Sequence, residues 1–266
     1  MSVVLCDPDD TAALWLVQRL REAGDDCALV TSDLLSFARR RSQRIGRAGV
    51  SALVDVDGRI VIGHPDLLIN RMSAPPMAAW RTAPPVERDY ATAELTAFVL
   101  SWLDGLSCPV RNRPDPSCLA GPAPHPLRAG LLASAAGLAC PDVRLQTDRG
   151  TRAGGQPLLE AALRQAGPGA RLLHVVVLDG TLVDPEGVAR QAGAPVPAGF
   201  APGIQRLCAS LGAAEALAGI DVVVTGEQWM FAGFTPLPDL PVAGGALVRA
   251  LARVRESAAE REKVTA

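Results

Sequence analysis

Short apolar runs and amphipathic stretches alternate along the first third of the chain. Residues 3–6 read as a buried strand, and Asp7-Pro8-Asp9-Asp10 as a turn ending in helix-capping side chains. Over 11–23, Leu14, Leu16, Val17, Leu20 and Ala23 recur at helical spacing while Arg19, Arg21 and Glu22 fall outside, and Gly24 ends the helix. Residues 27–30 are the next strand, and Ser32 or Asp33 caps a short helix through Phe37. Alternating Val and Ile residues over 50–56 and 59–62 flank Asp57-Gly58, which predicts a β-hairpin with a type I′ turn. A strand at 67–70 precedes Arg71 and the loop 73–76. A long helix over 87–106 turns Leu95, Phe98, Val99, Trp102 and Leu106 inward.

The second half carries an alanine-rich helix at 127–137, a short strand after Pro141, a glycine-rich stretch at 150–155 and a helix at 158–165. Residues 171–178, the turn Asp179-Gly180 and residues 181–183 repeat the hairpin signature. A helix at 201–211 precedes a third hairpin, 220–225 and 228–231 about Gly226-Glu227, and a final helix covers 244–262.

At 266 residues the chain has room for two modest domains or one large one. Apolar residues make up 48% and aromatics only 4%, so the core is expected to be built from Ala, Leu and Val. A net charge of −2 gives no reason to expect a nucleic-acid partner. Six cysteines contain no C-x-x-C pair and three histidines lie far apart, so no metal site is expected and the thiols read as small core residues of a reducing cytosol. Asp7, Asp9 and Asp10 interrupt the first apolar run, which argues against a signal peptide, and no apolar run reaches the ~18 residues of a membrane span. The expected location is the cytoplasm.

All but one of the 26 basic residues are arginine, and the single lysine, Lys263, lies in the charged C-terminal tail. Arginine and lysine are not interchangeable at a buried phosphate site. Arg40, Arg44 and Arg47 would share one face of a helix, either as a docking patch for an acidic peptide or as a solvated helix end.

Three ordered stretches resemble the ATP-grasp superfamily, in the branch of graspetide (microviridin-like) ribosomal-peptide maturases and RimK-like ligases. "HPDLLINRMSAPP" (64–76) is similar to the strand and Arg-containing loop, here Arg71, that end the family's pre-ATP-grasp domain. "VRNRP" followed by "HPLRAGLLASAAGLACPDVRLQTD" (125–148) resembles the turn, helix and strand that open the grasp domain. "LAGIDVVVTGEQWMFAGFTPLP" (217–238) resembles the hairpin that carries the metal ligands. The resemblance implies an α/β fold: a Rossmann-like N-terminal unit, 1–114, followed by a reduced ATP-grasp-like α+β unit, 115–266, of antiparallel strands with helices on one side. Arg171 matches the arginine of a family strand that helps bind acceptor substrate; the bland alternative is a charged residue on a solvated strand face. His174 lies on the same strand and is expected to point, with Arg171, away from Leu173 and Val175.

The departures are as informative. In the family a Glu and an Asn alternate along one strand face to reach magnesium. Here Asp221 remains, as a remnant of the metal site, but the Glu position reads Ala232 and the Asn position Phe234. Neither a methyl group nor a phenyl ring can hold a cation that demands oxygen. A lysine position near 125 reads His125, and the segment between Asp148 and Arg171 is too short for the family's phosphate flap. The glycines of 150–155 lack a following Lys-Ser or Lys-Thr.

The expectation is therefore a degenerate scaffold without cofactor, nucleotide or metal. It would bind a precursor peptide or a modifying-enzyme subunit as a hetero- or homo-oligomer in a ribosomal-peptide pathway. The alternatives are an atypical enzyme reusing the cleft or a divergent carboxylate–amine ligase. Trp229 and Phe234, at the former metal strand, would form either a plugged core or an apolar contact site.

Overall fold

All five residues of Ser2–Cys6 are buried, a pattern that needs a paired neighbour on each side of the strand and cover on both faces. In the computed structural model, which describes residues 1–46, 49–56, 59–62, 65–115, 118–143 and 156–265, this segment is β1 at the centre of a parallel sheet. The chain continues through α1 (Thr11–Glu22), β2 (Cys27–Thr31), α2 (Ser32–Ser36), β3 (Arg40–Gly46), β4 (Gly49–Val56), β5 (Arg59–Ile62), β6 (Leu67–Arg71), α3 (Pro85–Asp104) and β7 (Val110–Arg111). The parallel sheet runs in the order β2-β1-β6-β7, and β3-β4-β5 form a separate antiparallel sheet. Their shared core holds Val3, Leu5, Val54, Leu68, Val99, Trp102 and Leu103.

Local chemistry sets several boundaries here. Asp10 caps α1 by accepting from the Ala13 N–H at 2.9 Å. Thr31, rather than Ser32 or Asp33, caps α2, its hydroxyl accepting from the Leu34 N–H at 3.2 Å. In α1 the buried stripe is Ala13, Leu16, Val17 and Leu20; Leu14, expected inward, is 51% exposed.

The basic stretch is a strand, not a helix. Arg40 to Gly46 pair residue for residue with Asp55 to Gly49, and a ladder of cross-strand bonds overrides the helical spacing of the arginines. Arg40 and Arg44 lie in β3, while Arg47 and the Asp57-Gly58 turn lie outside the described residues.

The second unit contains α4 (Pro126–Ala135), α5 (Pro157–Ala166), β8 (Arg171–Leu178), β9 (Thr181–Leu182), α6 (Pro185–Ala192), α7 (Phe200–Ser210), β10 (Leu217–Thr225) and β11 (Gln228–Thr235). Its sheet is antiparallel in the order β11-β10-β8-β9. Asp179 and Gly180 both take positive φ, 53° and 73°, as a type I′ turn between β8 and β9 requires. One sheet face buries Leu173, Val175, Ile220, Val222, Trp229 and Phe231 against α4, α6 and α7. The other presents Val223, Met230 and Ala232 to Ala162 of α5. Helices thus cover both faces, not one. Helix α6 follows a segment whose start signal was legible, Asp184 as cap and Pro185 at the first position.

The last helix, α8 (Gly244–Thr265), belongs with the first unit, which comprises Met1–Pro122 and Gly244–Ala266; the second is Ala123–Ala243. The expected division at 114/115 assigned that helix to the second. No helix among the described residues is long and apolar enough to cross a membrane.

Candidate functional site

The strands β8, β10 and β11 position Asp221, which the sequence led us to expect as a remnant of a metal site. Antiparallel pairing sets His174 directly opposite Asp221, and alternation puts both on the face away from Leu173, Ile220 and Val222. The His174 Nδ1 lies 2.8 Å from Asp221 Oδ1. The Asp239 backbone N–H donates to Nε2 at 3.1 Å, so Nε2 is the acceptor and Nδ1 carries the proton that bonds the carboxylate. Both side chains are about a quarter exposed or less, 21% and 24%.

Glycine makes this packing possible. A Cβ on Gly219 would lie 2.4 Å from His174 Cε1 and 2.6 Å from Nε2, so the imidazole occupies the space a side chain would need. A Cβ on Gly233 would come within 3.1 Å of Asp221 Oδ2. Beside the ring is a recess lined by His174, Val176, Asp184, Val188, Gln191 and Ala243, with ≈ 10 Å³ of space, room for about one water.

The chemistry this arrangement allows is limited. An Asp–His pair resembles the orienting half of a general-base system, but the nitrogen that would accept a proton already holds a backbone N–H. The pair ties the segment after β11 to the sheet.

A β-bulge decides what happened to the expected ligand positions. The register of β10 against β11 shifts between Asp221 and Val222: Asp221 pairs with Gly233, but Val222 pairs with Phe231. The extra residue, Ala232, breaks the two-residue period. Ala232 consequently packs with Val223 and Met230, whereas Phe234 packs against the main core on the opposite face. The two positions therefore do not share a face. Magnesium does not fit the residues present: one position is a methyl group in an apolar cluster and the other a half-buried ring packed against the core. Among the described residues no cluster of three or more His, Cys, Asp or Glu side chains is placed to hold a metal ion.

The remaining candidates are dispersed. Trp229 is 5% exposed and its ring meets that of Phe200 at 5.2 Å, so it is core rather than contact surface. Arg171 bonds the Gln191 carbonyl at 3.4 Å and approaches Gly193. Three positions separate it from His174, so the two lie on opposite strand faces, against the expectation that they point together. Arg71 is buried at the carboxyl end of β6, its Nε 2.7 Å from Asp10 Oδ2 and its Nη2 3.2 Å from Oδ1. That fork joins the end of one parallel strand to the helix cap after another. Arg40 and Arg44 are exposed on β3. His125 caps α4, its Nδ1 accepting from the Leu127 N–H at 3.4 Å. The glycines of 150–155 lie outside the described residues.

Sequence reasoning missed the buried amide network around Asn70, which donates to the carbonyls of Asn112 at 2.9 Å and Leu119 at 2.5 Å. Asn112 takes φ 62°, and the only advance signal was its place in "VRNRP", where Asn tolerates the left-handed region.

Neither a protein-family model nor a curated protein sequence matches the chain. Solved structures do. The macrocyclase MdnC of Microcystis aeruginosa MRC, bound with precursor peptide MdnA, superposes with a TM-score of 0.63 at 13% identity, over 95% of this chain and 100% of that one. Macrocyclase MdnB of the same organism gives 0.59 at 14% identity, over 97% of each chain. The ATP-grasp ligase PsnB, complexed with precursor peptide PsnA2 and AMPPNP, gives 0.60 at 15% identity, over 96% and 97%. The chain thus has the α/β fold of these macrocyclases and of the ATP-grasp ligase PsnB.

Proposed function

We propose that this protein is an ATP-grasp scaffold that binds a peptide, or a catalytic partner, in ribosomal-peptide biosynthesis without using nucleotide or metal. The observation that carries this reading is the fate of the metal strand. Ala232 and Phe234 are built into two apolar clusters on opposite sheet faces, and Asp221 is engaged by His174. A coordination site has become a packed strand and a structural hydrogen bond. The peptide half of the reading is supported by the fold, since the similar MdnC and PsnB structures contain precursor peptides. The rival reading, new chemistry in the altered cleft, gains nothing from His174, whose Nε2 is already bonded to Asp239.

The test is thermal unfolding of the full chain with and without millimolar Mg-ATP. The expected result is an unchanged melting temperature. An upward shift with Mg-ATP, reproduced by a non-hydrolysable analogue, would overturn the nucleotide-free reading and restore the ligase.

A further inference from the structure

Strand β3 ends its sheet. It pairs with β4 over seven residues and, among the described residues, with no strand on its other side. It therefore carries a row of backbone N–H and C=O groups about 23 Å long at ~3.3 Å per residue, open to a further strand. One face of the strand is held in place. Gln43, on the face shared with Arg41, donates through Nε2 to the Ser101 carbonyl at 3.0 Å and hydroxyl at 3.1 Å on α3.

The opposite face carries Arg40 and Arg44, both exposed. Four residues apart on a strand, they share that face with about 13 Å between their backbones. Arg39, also exposed, adjoins them. In the described parts of β3 and β4 the single acidic residue is Asp55, in register with Arg40.

Charge on an edge strand ordinarily guards it, but a guard of one sign is selective. A second copy of β3 would bring arginines against arginines, and like charges on neighbouring strands repel. A strand bearing carboxylates meets no such barrier.

We propose that the β3 edge takes an extended acidic peptide segment as an added strand, its main chain pairing with β3 and its carboxylates meeting Arg40 and Arg44. This rests on the peptide-binding part of the function proposed above and names the chemistry of the peptide. Main-chain bonds supply affinity in such strand addition, and side chains supply choice.

The test uses the full chain, without nucleotide, and a fluorescent synthetic peptide of about eight alternating Glu and Val residues, a typical strand length. Anisotropy should report binding that weakens as salt rises. The paired substitution Arg40→Ser and Arg44→Ser should weaken it roughly tenfold and flatten the salt dependence. The same peptide N-methylated at every residue, which keeps the charges but lacks the donors, should not bind. If the double variant does not fold, a Lys–Val peptide on the native chain replaces it and should not bind. Equal binding of the N-methylated peptide would overturn strand addition. Binding that ignores the arginines or accepts Lys–Val would overturn the charge match, and no binding of Glu–Val would overturn the proposal. None of these results changes the Mg-ATP melting outcome, so the two readings fail separately.

Discussion

Gly219 shows how one residue can hold a site together. The His174 imidazole lies where its side chain would be, so Gly219→Ala must displace the ring and break the bond from Asp239 to Nε2. We expect a loss of about 1–3 kcal/mol, the usual cost of overpacking. Much of it should vanish when His174→Ala is also present, because the nearest clashing group is then gone and only the Thr235 methyl, at 2.8 Å, remains; a double-mutant cycle in urea checks this, and additive costs would refute it. The cysteines make a second residue-scale prediction. Burial, followed by the charges of Asp10 and Asp7, pushes the Cys6 thiol up from 9.0 to about 12, and burial raises Cys27, Cys108, Cys140 and Cys208 to about 11. As pH rises past 9 the unfolded chain sheds these protons first while the folded chain retains them. Stability therefore falls between pH 9 and the folded values of about 11 to 12. Urea unfolding at neutral pH and near pH ~10 measures the fall, and Cys6→Ala should lessen it.

At the scale of the element, the bulge in β11 matters most. Had the strand kept its period of two, Ala232 and Phe234 would share a face; the extra residue sends the ring into the core with Trp229 and Phe231. Trp229→Ala should therefore cost about 3–5 kcal/mol, as for a buried aromatic. Phe234→Glu should lower the melting temperature rather than simply abolish a partner contact. A Trp229→Ala protein with unchanged stability would return the Trp229 ring to the surface reading, and a Phe234→Glu protein with an unchanged melting temperature would do so for Phe234. Helix and hairpin signals were legible where they are local: Asp10 as a cap, Asp179-Gly180 as a turn, Val99 and Trp102 on one helical face. The arginine stretch was misread because its helical spacing is also compatible with a strand, and only the partner strand β4 chose between them.

For the whole molecule, the nucleotide question carries a definite magnitude. A ligand at 100 times its dissociation constant adds about 2.7 kcal/mol to the folded state, or roughly 5–10 °C for a chain of this size. The absence of such a shift with Mg-ATP is thus readily measured. Many of the individual strands, helices and turns follow from patterns written along the chain: buried apolar runs, amphipathic stretches and turn residues that act over a few positions. That Ala232 and Phe234 offer no side-chain oxygen to a cation was equally visible. Other features depended on neighbours far away in sequence. The bond between His174 and Asp221 spans 47 residues, the Arg71–Asp10 pair spans 61, and the last helix joins the unit that begins the chain. Periodicity determines which residues can lie on a common face, but strand order, register and one bulge determine which faces meet, because those are set by backbone pairing between segments that carry no local mark of each other.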